Sequence, residues 1–401
     1  MKQIPLLGAI RAMRSFYFGY IAFLIPLFLV HIGFSTIYVG IYALVATVAS
    51  SVLVLLSGFL GDLYSRKKTL LIMSALPAFI FISFLVTRNF IIIFATSLLG
   101  ITFSAIGGGA GGGPIAPILT AFVADKTVPG NRTRIYSLLM IVSIVSAIGG
   151  SSTSAVLEKY IPNYFQVLFI LALVLNISSI VLTMFLEDTK MEKRESRAPI
   201  MPTESSSNIM KIALSGAFGS VGLGIITPII SLYFKDIGLE AYMISIIFTA
   251  SYIAAGVAVF FASYMERIFG SIYAIGIFRT LGSGLFIIIP FVPPITAGII
   301  YALRTGFYQL ALPIRQSFQM ELLKPEERAR GNSLTGIARR LPYGASTTLG
   351  SVLLSTGYIV FMFSFAGVVS ILDPVLYVFF FRKYNRMRSR EEVNMVEEGH
   401  E

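Results

Sequence analysis

Apolar runs of about 20 residues, long enough to cross the hydrocarbon core of a bilayer, recur along the whole chain with short polar punctuation between them. Twelve can be counted, near residues 15–33, 38–60, 69–87, 90–124, 135–157, 162–186, 209–234, 241–263, 271–290, 294–320, 332–355 and 358–381. Buried helices of a large soluble protein would carry polar faces that these runs lack. Across 401 residues, 56% are hydrophobic and only 13% charged, more apolar surface than one globular core can hide. The expected fold class is an all-α membrane protein of twelve transmembrane helices, numbered below as spans 1 to 12.

Lys and Arg near span ends favour the cytoplasmic side. Placing the N-terminus inside puts 23 of the 31 basic residues, Arg11 and Arg14 among them, in inner segments, against Arg88, Lys159 and Lys235 outside. Both termini are therefore expected in the cytoplasm, and the multi-pass chain in the cell membrane. The net charge of +11 is mostly this topology signal, so nucleic acid is not an expected partner. The first apolar run is of spanning length and is followed at once by another, so no cleaved signal peptide is expected. The absence of Cys excludes disulfides and thiolate metal sites, and two His make no zinc site. No cofactor is expected. No nucleophile triad, acid/base pair or metal cluster can be assembled, which argues against an enzyme.

The longest polar segment, EDTKMEKRESRAPIMPTESSSN at 187–208, reads as a cytoplasmic linker between six-helix halves at 1–186 and 209–381, with a solvated tail at 382–401. An equal division prompts a search for a repeat. In the first half, Pro117 is followed by Asp125, Arg132 and Arg134; in the second, Pro313 is followed at the same distances by Glu321, Arg328 and Arg330. PLFLVHIGFS at 26–35 parallels PIISLYFKDIGLE at 228–240, and GFLGDLYSRKK at 58–68 faces FASYMERIFG at 261–270, with Asp62 over Glu266. A duplicated, pseudo-symmetric six-helix unit follows.

With these motifs the sequence resembles the major facilitator superfamily of secondary transporters. In that family the loop between helices 2 and 3 carries a Gly, an acid four positions on and a basic cluster; here these are Gly58, Asp62, Arg66, Lys67 and Lys68. The resemblance implies a charge network, with Asp125, Arg132, Glu321 and Arg328, that locks the halves together on the cytoplasmic rim when the cavity opens outward. The second copy keeps Glu266 and Arg267 but has Ala262 where Gly is expected, Thr96 stands where members often carry an Arg in helix 4, and AIGGSSTS at 147–154 lacks the proline of the antiporter motif.

The stretch GGGAGGGP at 107–114 looks like a phosphate cradle, but no GK[ST] follows it. Inside an apolar run, small residues instead allow close helix packing, and Gly with Pro permits a break. A break there, matched by Gly306 and Pro313 in span 10, is one way such folds mark a substrate site.

At 100° per residue, Arg304, Tyr308, Arg315 and Gln319 of span 10 fall within a stripe about 60° wide. A stripe with two cations cannot face lipid. In the resembled family span 10 lines the central cavity, so the stripe is expected to face it, joined by Arg340, Thr347, Ser351 and Ser355 of span 11. Arg315, Arg339 and Arg340 have a second reading, snorkelling to the rim or joining Glu321 in the gate. Asp373 in span 12 is the only carboxylate deep within a span, and Arg279 in span 9 is its natural partner.

Excess positive charge favours a solute with carboxylate or phosphate, which guanidinium matches as a planar fork. The expected function is a secondary transporter moving a small organic anion by alternating access, working as a monomer. If a proton couples transport, Asp373 and His31 are the candidates, with Asp236 a third. A proton-driven exporter of lipophilic compounds stays open, favoured by Tyr17, Tyr20 and Tyr42 in the uncharged first half, as does a sensor or scaffold that kept the fold without transport.

Overall fold

A computed structural model describes residues 3–63, 65–101, 113–115, 118–119, 122–123, 132–188, 204–324 and 328–398, without the side chains of 59, 62–63, 132–134, 328–330, 332–333 and 385–398. Its elements are helical: α1 Gln3–His31, α2 Thr36–Leu63, α3 Arg66–Val86, α4 Phe90–Ala95, α5 Arg132–Tyr160, α6 Tyr164–Met184, α7 Ser206–Ile226, α8 Ile230–Asp236, α9 Ala241–Phe269, α10 Ser271–Ile288, α11 Pro294–Leu322, α12 Arg328–Ser355 and α13 Ile359–Glu398. Among the described residues, nine helical segments are long and apolar enough to cross a membrane. Spans 10 and 11 form α11 and α12, 29 and 28 residues long but richer in polar side chains.

Three spans depart from the expected ends. Span 1 begins at Gln3, so Arg11 and Arg14 lie inside α1 and not in a loop before it. Span 7 is two helices, because Pro228 interrupts the ladder between α7 and α8. In span 4, α4 tightens into a 3-10 turn at Thr96–Leu99 and stops at Gly100, whose φ of +75° is left-handed. A Cβ there would also lie 3.0 Å from the Ser50 backbone. The GGGAGGGP stretch falls outside the described residues except for Gly113 and Pro114, which open a short 3-10 turn.

Among the described residues the long helices alternate in direction; the end of the bundle where α1 begins and α13 finishes is called the terminal face and the other the distal face. The halves meet on the distal side. There Phe23 of α1 stacks on Phe248 of α9 at 4.4 Å, and the Tyr252 hydroxyl donates to the Gly19 carbonyl at 3.0 Å. Along α5 and α9 the contacts run from Glu158–Ser245 through Ser151–Thr249 to Ile144–Gly256. Along α2 and α12 they run from Gly40–Ser351 to Thr47–Gly344. One apolar core draws on both halves here, with Tyr17, Tyr20 to Leu29, Ile225, Ile226, Ile229 to Phe234, Phe248 and Tyr301 all buried. Toward the terminal face the packing divides. Leu7, Leu70, Phe122 and Leu139 cluster within the first half, and Ile212, Ile275, Phe318 and Phe381 within the second. Among the described residues the molecule is closed at its distal face and parts toward its terminal face.

Candidate functional site

The α11 stripe carries its charges inward. Arg304 and Arg315 are each 2% exposed. Their guanidinium groups turn into the interior of the second half, against α10 and α13, rather than into the space between the halves expected from the family pattern. Asp373 on α13 sits at the centre, fully buried. Arg315 Nη1 donates to its Oδ1 at 3.0 Å and Oδ2 at 2.8 Å, and Arg279 Nη2 lies 2.5 Å from Oδ2. The expected Arg279–Asp373 pair is thus a triad, with Arg315 held deep in the half and not at the rim.

Aromatic rings complete the surroundings. Arg279 Nη2 also donates to the Tyr308 hydroxyl at 2.6 Å, with the guanidinium carbon 4.2 Å from that ring's centre. Arg315 lies over Tyr377 at 4.8 Å. Arg304 lies over Phe286 at 4.1 Å and Tyr308 at 5.0 Å, so ring faces replace part of its lost hydration. Its Nε and Nη2 have no hydrogen-bond partner among the described residues. Gln319 donates to the Thr335 hydroxyl of α12 at 2.8 Å, and Arg339 Nε donates to the Thr335 carbonyl at 3.2 Å. Arg339 is within electrostatic reach of Arg279, Arg315 and Asp373. Arg340, half-buried, precedes Gly344 by one turn on the α12 face that meets α2.

The first half holds a neutral version of the same pin. Asn176 of α6 donates to the Tyr17 hydroxyl of α1 at 3.1 Å and to the Ser74 carbonyl of α3 at 3.2 Å. Spans 1, 3 and 6 meet there as spans 7, 9 and 12 meet at Gly219, Arg279 and Asp373. Only the second copy is ionic.

The residues expected at the gate are less fully described. Gly58 lies in α2, and Arg66 and Lys67 open α3. Ser65 caps α3, accepting from the Lys68 amide at 3.1 Å and donating to Asp188 Oδ2 at 2.5 Å. The start of the expected linker is therefore docked on the positive N-terminus of α3. Glu321 is exposed in the last turn of α11. Asp62, Arg132 and Arg328 are placed only by their helix backbone, and Asp125 lies outside the described residues. His31 is exposed at the distal end of α1, its ring 5.0 Å from Phe165. Sequence reasoning missed Glu158. It was passed over because it lies near a span end, yet it sits where α5 crosses α9, accepting from Ser154 at 2.9 Å and from Ser245 at 2.6 Å.

Two packed six-helix halves, closed at one face and parted at the other, with ionic groups buried in the spans, define a polytopic membrane protein with the architecture of a secondary transporter. The model of the Major Facilitator Superfamily matches residues 7–209 and 212–397, and the chain belongs to that family. No curated protein matches the sequence. Among solved structures, a POT peptide transporter in complex with sulfate is similar at TM-score 0.74 and 14% identity, covering 96% of this chain and 95% of that one. A D-xylose-proton symporter follows at 0.70 and 12%, covering 93% and 97%. The nucleoside transporter NupG is similar at 0.67 and 14%, covering 96% and 99%. At such identities the likeness concerns the fold.

Proposed function

We propose that the protein is a secondary active transporter that moves a small organic anion by alternating access. One observation carries the reading: Arg279, Arg304, Arg315 and Arg339 are gathered in the second half around the single carboxylate of Asp373, among the described residues. A buried cation without a counter-ion is costly by several kcal/mol. Asp373 pairs with two of the four guanidiniums, and the net excess of positive charge, with Arg304 and Arg339 unpaired among the described residues, favours entry of an anion. Arg304 forms no ion pair among the described residues and has two donors to offer, Nε and Nη2, while Tyr308, Arg315 and Gln319 fix its surroundings and Arg340 stands on the approach from the space between the halves. The neighbours include transporters of nucleosides, a sugar, peptides and metals, so their likeness leaves the solute class to the charges of this chain.

In this reading the chain divides into halves at 1–186 and 209–381, each a rigid body of alternating access, joined by the linker at 187–208. The terminal face is cytoplasmic, as its basic residues favour, the membrane is the cell membrane, and the monomer suffices because both halves are in one chain. Residues 58–68, Asp125, Arg132, Glu321 and Arg328 make the terminal gate.

The test is thermal stabilisation of purified protein by organic anions, cations and neutral solutes, since a ligand of the folded state raises its stability. An anion should raise Tm in the wild type and fail to do so in Arg304→Ala. Stabilisation by lipophilic cations alone, equal in both proteins, would replace the anion reading with lipophilic-compound export. Absence of flux for any stabilising solute in vesicles would leave a sensor.

A further inference from the structure

The distal closure contains one acid that the arginine network does not use. Glu158 lies where the two halves touch, and its two carboxyl oxygens take one hydrogen bond each: from Ser154 of its own helix at 2.9 Å and, across the contact between halves, from Ser245 of α9 at 2.6 Å. Below it, Ser151 accepts from Thr249 at 2.8 Å, so a short polar ladder runs along an otherwise apolar contact.

The charged and titratable groups around Glu158 offer it no counter-ion. Lys159, next in sequence, points to the rings of Tyr160 and Tyr242, its Nζ 5.4 and 5.7 Å from their centres. Tyr164 of α6 is the ionisable group that interacts with Glu158 electrostatically. Glu240 opens α9 and is exposed, as are His31 and Asp236 at the same face. Among the described residues, Glu158 forms no ion pair.

We propose that Glu158 is a proton-binding latch of the distal gate. Glu158 is half-buried at an otherwise apolar contact, and two neutral hydroxyls are poor compensation for an ionised carboxylate that has lost part of its hydration there. A neutral carboxyl suits the site, since it can accept from one serine and donate its own proton to the other. Opening the distal face separates α5 from α9, removes Ser245 and exposes Glu158 fully to water, where it ionises more readily. A proton taken from solution on the distal side by the open form is therefore retained on closure. By linkage, proton binding favours the closed form and closure favours proton binding by the same factor. The proposal deepens the transporter reading by naming the coupled ion and its residue, but its physical test needs no solute.

The chain has no native Cys, so two introduced cysteines are the only labelling sites. Asn163→Cys, in the turn before α6, and Ser355→Cys, at the last residue of α12, place spin labels at exposed distal positions of opposite halves. Pulsed distance measurements in lipid nanodiscs between pH 5 and 9 should show the short, closed separation dominant at low pH. The closed-to-open ratio should fall with rising pH by up to about tenfold per unit, the limit for one linked proton. Glu158→Gln, neutral and of the same shape, should stay closed throughout with a flat pH profile. Ser245→Ala, which keeps the acid and removes its partner across the gate, should shift the profile toward the open form. A wild-type profile that does not move with pH overturns the latch, and so does a Glu158→Gln profile that still follows the wild type, which would assign the response to His31, Asp236 or Glu240. Either result leaves the anion reading standing, whereas failure of every anion to stabilise the protein would leave the latch intact.

Discussion

Asp373 stands between Arg279 and Arg315 with no water-facing surface, so its charge is held by two partners at once. Removing it leaves two guanidiniums buried without a counter-ion. Asp373→Ala should therefore destabilise the protein by about 3–5 kcal/mol, seen as a lower Tm in detergent. Adding Arg315→Gln to Asp373→Asn should recover part of that loss, because contacting charges are coupled and their effects do not add. A double variant no better than Asp373→Asn alone would contradict the triad. The Arg279 pairing was legible in the sequence, since lone charges of opposite sign in apolar runs must meet. The part of Arg315 was not: its position along the chain fits the membrane rim equally well, and only the inward turn of α11 decides.

At the scale of an element, α7 is shaped by glycine at every third position. Gly216, Gly219 and Gly222 share one face, and a Cβ on Gly219 would sit 2.7 Å from Asp373 Oδ2. At Gly222 a Cβ would strike the Ala366 carbonyl and the Ser370 hydroxyl of α13. Close approach of α13 is thus what places Asp373 between the arginines. Gly222→Val should cost about 1–3 kcal/mol through overpacking, read as a fall in Tm. Gly284→Ala in α10, with open space around it, should leave Tm unchanged or slightly raised. Equal effects at both positions would show that the glycine face is not a packing device. Small residues signalled close packing in the sequence, but not which helix they admit. The stop of the α4 helix and its 3-10 turn at Gly100 was also illegible, because it depends on the Ser50 backbone of a helix distant in sequence.

At the scale of the molecule, the halves touch along the distal parts of α2, α5, α9 and α12 and part toward the termini. The Ser151 and Thr249 side chains meet at 2.8 Å across that contact, close enough for a disulfide if both become Cys. Ser151→Cys with Thr249→Cys should crosslink under a mild oxidant, stop flux of any transported solute, and recover when reduced. A pair that does not crosslink in the resting protein would mean that the distal face is open in the membrane.

The sequence by itself determined the solvent and the architecture. Twelve apolar runs cannot be hidden from water except in a bilayer, and duplicated spacings around Pro117 and Pro313 mark two like halves. It also determined that the deep charges lie mostly in the second half, because charge in an apolar run is conspicuous in one dimension. Tertiary structure decided where those charges point and what they meet. The direction of the α11 stripe depends on how α10 and α13 pack around it, and Glu158 became a gate residue only because α9 crosses α5 at Ser245. Hydrophobic pattern reports how much surface a helix must bury; which neighbour buries it is set by side-chain fit between segments far apart in the chain.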